Sequence, residues 1–272
     1  MMNKISFPII ATGIHFADRQ DVFRYVIDNF SAYYDAVDIV RETDNNALIL
    51  SSHDDAPYFN FCVHKDGGLQ DCIEKYLPIF KEYNREPLIY ISPASSLFGQ
   101  DIGLEKFADD AFMFLEDGGV LENYQIPDSV KVEITTDEET FIKVWGDARK
   151  DPNDIYGVAS IAMVNGMRRF FLDPPTGFNH FATMAFKNGR PVANVVSVYN
   201  KNWLLVIGLG TLPEYRKQGL GTALMKDIVE RAARLGIKAI TLQTETGTYN
   251  EKYYEKMGFR TKFNGIYYKI KL

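Results

Sequence analysis

An α/β protein built around a mixed β-sheet is the architecture this sequence predicts. Three features point there: an antiparallel meander over residues 181–212, a strand–helix–strand crossover directly after it, and much the same order of elements in the first half of the chain. The 272 residues leave room for two modest domains, and 46% hydrophobic with 24% charged residues suits a packed interior. A Gly-Gly pair at 118–119 and a Pro-Asp-Ser turn at 127–129 mark the seam, so the domains expected are 1–127 and 128–272.

In the first half, Asp18 to Tyr34 reads as a helix, and Ala36–Glu42, Ala47–Ser51 and Tyr58–Val63 as three strands parted by polar turns. Gly68 to Asn84 reads as a helix, Leu88–Ile91 as a strand, Leu104–Asp110 as a short helix and Phe112–Leu115 as a strand. The second half opens with an alternating strand, Val130–Ile134. Thr136 and Glu139 have capping-box spacing ahead of a helix with Phe141, Val144 and Trp145. A second helix over 155–171 ends at Pro174-Pro175. Phe181–Lys187 turns through Asn188-Gly189 into Pro191–Tyr199, a hairpin signal, and Trp203–Leu212 follows.

Leu220, Leu224, Ile228 and Ala232 then form one apolar stripe on a helix from Gly219 to Leu235, with Gly236 placed as its left-handed cap. Lys238–Thr244 is a buried strand. Thr248 and Glu251 suggest another capping box, opening a helix to Met257, and Phe259–Leu272 is read as two closing strands.

Thirty basic and thirty-six acidic side chains give a net charge of −6, with no basic surplus of the kind that nucleic-acid binding uses. The expected partners exclude nucleic acid and membrane, because no apolar run reaches the ~18 residues that span a bilayer. The stretch Ile5 to Ile14 is weakly apolar but broken by Pro8, so no cleaved leader is expected and the setting is cytoplasmic. Two cysteines, Cys62 and Cys72, accord with a reducing compartment. With His53 and His64 they match no metal-ligand spacing, and no metal site is expected. His180 and the Arg168-Arg169 pair are read as a turn histidine and helix-terminal cations rather than substrate groups.

Chemistry concentrates at Leu209 to Thr222. The chain leaves a strand, turns at Pro213 and enters a helix through Gly219 and Gly221. Such a helix N-terminus presents unpaired amides and positive dipole to an anion, above all a pyrophosphate, and Arg216 and Lys217 add full charge. Glycines let a ligand approach the backbone closely. A Walker loop is absent from the chain, and a dinucleotide fingerprint begun at Gly208 or at Gly219 meets Pro213 or Leu224 where its third glycine belongs.

What fits is Arg-x-x-Gly-x-Gly at 216–221. With the lead-in Pro213-Glu-Tyr-Arg216 and the ending Tyr254-Glu-Lys-Met-Gly-Phe259, the sequence resembles the GCN5-related N-acetyltransferases over about residues 130–272. The first half resembles them only in element order, as in tandem members with a decayed N-terminal copy. The resemblance implies acetyl-coenzyme A as co-substrate, with backbone at Leu209, Gly210 and Thr211 holding pantetheine and polarising the thioester. It implies that the loop from Lys217 through Gln218, Gly219, Leu220 and Gly221 to Thr222 wraps the pyrophosphate. Tyr254 aligns with the family's general acid, while the family's usual asparagine seven residues earlier is Gly247 here, with Asn250 nearby. Glu245, just past a strand end, is the candidate base.

The implied reaction is direct acetyl transfer to the primary amine of a small-molecule or peptide acceptor. The N-terminal half would shape the acceptor pocket or an oligomer interface such as that of a homodimer. Rival readings are a non-catalytic acyl-coenzyme A sensor and, ranked below it, an aminoacyl transferase working from charged RNA.

Overall fold

The structure is a computed structural model that describes residues 16–32, 37–150, 159, 161–172 and 177–271. The segment Ile5–Ile14, residues 155–158 of the expected helix and the Pro174-Pro175 pair lie outside the described residues.

In the first half, α1 (Arg19–Ser31) is capped by Asp18, whose Oδ1 accepts from the Asp21 amide at 3.0 Å. Then come β1 (Ile39–Glu42), β2 (Asn46–Leu50), β3 (Phe61–His64), α2 (Leu69–Glu82), β4 (Leu88–Ile91), β5 (Glu105–Leu115) and α3 (Gly119–Asn123). In the second half follow β6 (Val130–Thr135), α4 (Glu138–Asp147), α5 (Ile161–Leu172), β7 (Asn179–Lys187), β8 (Arg190–Tyr199), β9 (Leu204–Thr211), α6 (Leu220–Arg234), β10 (Ile240–Glu245), α7 (Tyr249–Glu255) and β11 (Phe259–Lys269).

The eleven strands of the described residues join one mixed sheet in the order β1-β2-β3-β4-β11-β5-β10-β9-β8-β7-β6. The meander β7-β8-β9 is antiparallel, and α6 carries the chain over to β10, parallel to β9. The first half repeats this pattern: β1-β2-β3 is antiparallel, and α2 leads to β4, parallel to β3. Read outward from the central β11–β5 pair, both sides show a strand, its parallel neighbour and then antiparallel strands, β2 and β1 on one side and β8, β7 and β6 on the other. The last strands are exchanged. β5, from the first half, pairs with β10 and β11, while β11, from the second, lies between β4 and β5. Phe112 and Phe263, direct partners across the seam, stack at 4.6 Å.

Burial on both faces follows strand alternation. Ala47, Ile49, Phe61, Val63 and Tyr90 pack with α1, whereas Leu48, Leu50, Cys62, Ile89 and Ile91 pack with Cys72, Tyr76 and Phe80 of α2. The thiols of Cys62 and Cys72 are free, with sulfurs 3.9 Å apart.

Several expectations need correction. Residues 104–115 form no helix: β5 is one strand, because Ala108, Asp110, Phe112 and Phe114 alternate onto one face while both edges of the strand are paired. Residues 259–269 are likewise one strand rather than two. Its mid-strand Gly265 is required by a close approach, since a Cβ there would stand 1.6 Å from the Tyr90 hydroxyl. Residues 57–59 form a single 3₁₀ turn before β3. Asp137, not Thr136, caps α4, accepting from the Thr140 amide at 3.0 Å. At α7 the Thr248 hydroxyl donates to the Glu245 carbonyl, and Glu251 accepts from the Gly247 amide, one residue before the cap. Among the described residues no helix is long and apolar enough to cross a membrane.

Candidate functional site

The site begins where two parallel strands part. β9 pairs with β10 at Leu204↔Ile240 and Leu205↔Thr241, after which β10 continues along β5 as far as Glu245↔Asp110. β9 bends away through a bulge: Asn194 faces Gly210 and Val196 faces Ile207, so β9 holds one extra residue, at Gly208 with φ +61°. In the first half, β3 and β4 pair at all four positions, Phe61↔Leu88 through His64↔Ile91, so no wedge opens there.

Beyond the wedge lies a cleft of about 880 Å³ between the end of α4, the end of β9, the start of α6 and α7. Leu209, Gly210, Thr211, Arg216, Lys217, Gly219, Leu220, Gly221, Thr222 and Tyr254, all singled out from sequence, line it together. Two singled-out residues stand elsewhere. Gln218 turns outward, accepting from Lys187 and donating to the Glu214 carbonyl. Glu245 is exposed at the end of β10 beside Asp110 of β5.

Gly219 is the N-cap of α6 at φ +79°, and no side chain caps the helix, so its first-turn amides face the cleft. Lys217 also holds a left-handed φ, +59°, which costs a side-chain-bearing residue about 1 kcal/mol. Both glycines admit tyrosines. A Cβ on Gly219 would lie 1.9 Å from the Tyr124 hydroxyl, which donates to the Gly219 carbonyl at 3.2 Å. A Cβ on Gly221 would lie 2.3 Å from the Tyr253 hydroxyl.

Arg216 ties the loop down. Its Nε donates to the Thr211 carbonyl at 3.2 Å and an Nη to the Ala148 carbonyl at 3.0 Å. Sequence reasoning missed its companion, Arg149. From the end of α4, Arg149 donates to the carbonyls of Trp145 at 3.0 Å, Gly208 at 2.9 Å and Leu209 at 3.3 Å, and stacks 4.3 Å from the Trp145 ring. Burial lowers its pKa to about 10, with Tyr254 opposing that shift and Arg216 adding to it, so it stays charged at neutral pH. Gly208 and Gly210 make room for Trp145 and Arg149, whose atoms a Cβ would meet at 2.7 and 2.8 Å. Nothing distinguishes Arg149 in sequence from a solvated helix-end cation.

Tyr254 sits half-buried on α7, edge-on to Tyr253 at 5.3 Å and Phe259 at 5.9 Å. Asn250, one turn earlier, also lines the cleft. His180 lies far away. The start of β7 pairs with the end of β8, and that with the start of β9, so His180 is at the opposite end of these strands from Thr211. Burial lowers its pKa. Arg168 pairs with Glu138 at 3.4 Å. Of His53, Cys62, His64 and Cys72, His64 hydrogen-bonds Ser95 and the Gly67 carbonyl, and His53 faces Asp38.

Residues 138–259, from the first residue of α4 to the first of β11, match the model of the acetyltransferase (GNAT) family. Among solved structures the chain is similar to a conserved protein of unknown function from Staphylococcus epidermidis, at 14% identity and a TM-score of 0.65, over 87% of this chain and 95% of that one. It is similar to a GCN5-related N-acetyltransferase from Kribbella flavida at 15% identity and a TM-score of 0.63, over 90% and 94%. A tandem GNAT protein from the clavulanic acid biosynthesis pathway is similar at 13% identity and a TM-score of 0.58, over 83% and 78%. At such identities the likeness is one of fold. No curated protein matches the chain.

Proposed function

From the premise that residues 138–259 belong to the acetyltransferase (GNAT) family, we propose that the protein is an N-acetyltransferase that passes an acetyl group from acetyl-coenzyme A directly to a primary amine. The single observation that carries this reading is the wedge between β9 and β10, which opens onto the uncapped N-terminus of α6 and onto Tyr254 in one cleft.

The cleft suits the co-substrate chemically. The first-turn amides of α6 and the backbone of Lys217 through Thr222 would hold the pyrophosphate, and the strand backbone at Leu209, Gly210 and Thr211 the pantetheine arm. The co-substrate supplies an activated acyl group as a thioester. Backbone donors on β9 polarise its carbonyl and hold it against the wedge. Arg149 and Arg216 fix that backbone through their carbonyl contacts. As the amine's C–N bond forms and the C–S bond breaks, Tyr254 protonates the leaving sulfur, and the amine's proton passes to Glu245 or to solvent. We read residues 128–272 as the part that holds the co-substrate. Residues 1–127 are a decayed copy that shapes the acceptor side, in a cytoplasmic setting where Cys62 and Cys72 stay reduced.

Free-thiol release from acetyl-coenzyme A over a panel of alkylamines, amino acids, polyamines and a peptide N-terminus tests the reaction. Wild type should release thiol with at least one amine, and Tyr254→Phe should lower kcat by about tenfold or more with KM for acetyl-coenzyme A little changed. Binding of acetyl-coenzyme A with no amine-dependent release would leave only a sensor. The buried Cys62 thiol, its pKa pushed up by burial, adds no background to this assay while the protein is folded.

A further inference from the structure

The exchanged strands bury an acid with no counter-charge. Asp110 on β5 is 6% exposed and faces Gly265 of β11 and Glu245 of β10. Its carboxylate accepts from the Gln243 amide, and Tyr267 and Gln243 both work against the rise of its pKa. Among the described residues, no ion pair reaches it. A buried carboxylate is costly unless paired, and Glu245 and Asp109 nearby add like charge rather than relief. Beside it is a cavity of about 140 Å³ walled by Phe30, Tyr58, Phe59 and Tyr267. Tyr58 is 39% exposed and packs against Tyr267 at 5.5 Å, so this wall reaches solvent. Gln243 and Thr244 of β10, the strand that borders the wedge, close another side. Asp110 stands two strands from β9, and further than the roughly 10 Å of two strand spacings, because β9 has left β10 before the level of Glu245.

We propose that this cavity seats an ammonium group of the acceptor, with Asp110 as its counter-charge and the Tyr58, Phe59 and Phe30 rings as its walls. An ammonium has no lone pair and this one stands away from β9, so the acetyl group passes to a second, neutral amine of the same molecule, and the acceptor class is a diamine on an apolar stem. A cation lying on aromatic faces beside a desolvated carboxylate satisfies both at once. The strand exchange gives the first half its part in the reaction: it brings Asp110 to a site whose cofactor cleft belongs to the second. The acceptor role rests on the transferase reading, whereas the binding itself does not.

The test uses the full-length chain without acetyl-coenzyme A. Thermal unfolding is followed with a series from methylammonium to hexylammonium chloride, and with n-butanol and sodium butyrate as neutral and anionic counterparts at matched ionic strength. One or more of the ammonium ions should raise Tm, and butanol and butyrate should not. Asp110→Asn should lose the shift, and Tyr58→Ala, at the open wall, should reduce it. A shift kept in Asp110→Asn, an equal shift with butanol, or no shift with any ammonium ion overturns the proposal. The same variants are heated with acetyl-coenzyme A alone. A retained cofactor shift in Asp110→Asn shows an intact fold and cleft. A cofactor shift missing from wild type sinks the transferase reading and leaves the amine site to stand or fall on its own series.

Discussion

Arg149 reaches from the end of α4 to the carbonyl of Gly208, 2.9 Å away, at the bulge where β9 leaves β10. One half-buried cation thus holds the bent strand whose backbone forms a wall of the cleft. Its other bonds, to Trp145 and Leu209, tie the same point to α4.

Replacing Arg149 by methionine keeps the stem and removes the donors. The carbonyls of Gly208 and Leu209 then lose their partner, which should cost about 1–3 kcal/mol in urea unfolding. Affinity for acetyl-coenzyme A should fall with it, because the bulge is no longer fixed. Arg149→Lys should recover only part of both, since one ammonium cannot reproduce the planar fork. Unchanged stability in Arg149→Met would show that the bulge holds itself.

Two glycines with similar backbone angles should respond differently. Gly236 has φ +69° and open space where a Cβ would go, so Gly236→Ala carries the backbone penalty alone, about 1 kcal/mol. Gly258 has φ +96°, and a Cβ there would stand 1.7 Å from the Asp117 carbonyl oxygen, at the contact between the first half and the end of α7. Gly258→Ala should therefore cost several kcal/mol and lower Tm far more than Gly236→Ala.

Burial is the largest cause that raises the Asp110 pKa from 3.8 to about 7, and Gln243 and Tyr267 oppose it. The folded protein binds this proton more tightly than the unfolded chain does. The contribution to stability is therefore fully present below about pH 4 and is lost as pH rises through about 7. Asp110→Asn removes the titration. Urea unfolding should find the variant no more stable than wild type near pH 4, and more stable by a few kcal/mol at pH 8. A constant difference across that range would contradict the buried, unpaired carboxylate.

The sequence showed the parts of this protein whose signals are local. The loop at 216–221, its lead-in and the 254–259 ending are contiguous blocks, and the meander and crossover around them follow from periodicity and turn residues. Strand exchange leaves no such mark, because β11 meets partners on β4 and β5 more than a hundred residues back in the chain. For the same reason β5 was read as a helix and a strand: Asp109 and Asp110 interrupt its apolar run, and only the neighbouring strands explain their places. Arg149 was invisible because its function lies in what it touches, while in sequence it is a cation at a helix end followed by Lys150. The bulge at Gly208 was hidden too, since one extra residue in a strand appears only against its partner's register.

On the function proposed above, the wedge and the α6 N-terminus hold acetyl-coenzyme A. Thr222 lines the cleft in the first turn of α6, and Thr222→Glu tests the claim without the clashes that any side chain on Gly219 or Gly221 would bring. A carboxylate there favours the helix dipole, so the free variant should be as stable as wild type or slightly more so, while the anion site is repelled. Thermal unfolding with acetyl-coenzyme A at 100 times its Kd should stabilise wild type by about 2.7 kcal/mol, several degrees in Tm, and leave Thr222→Glu almost unmoved. No shift in wild type, or the same shift in both proteins, would contradict the account.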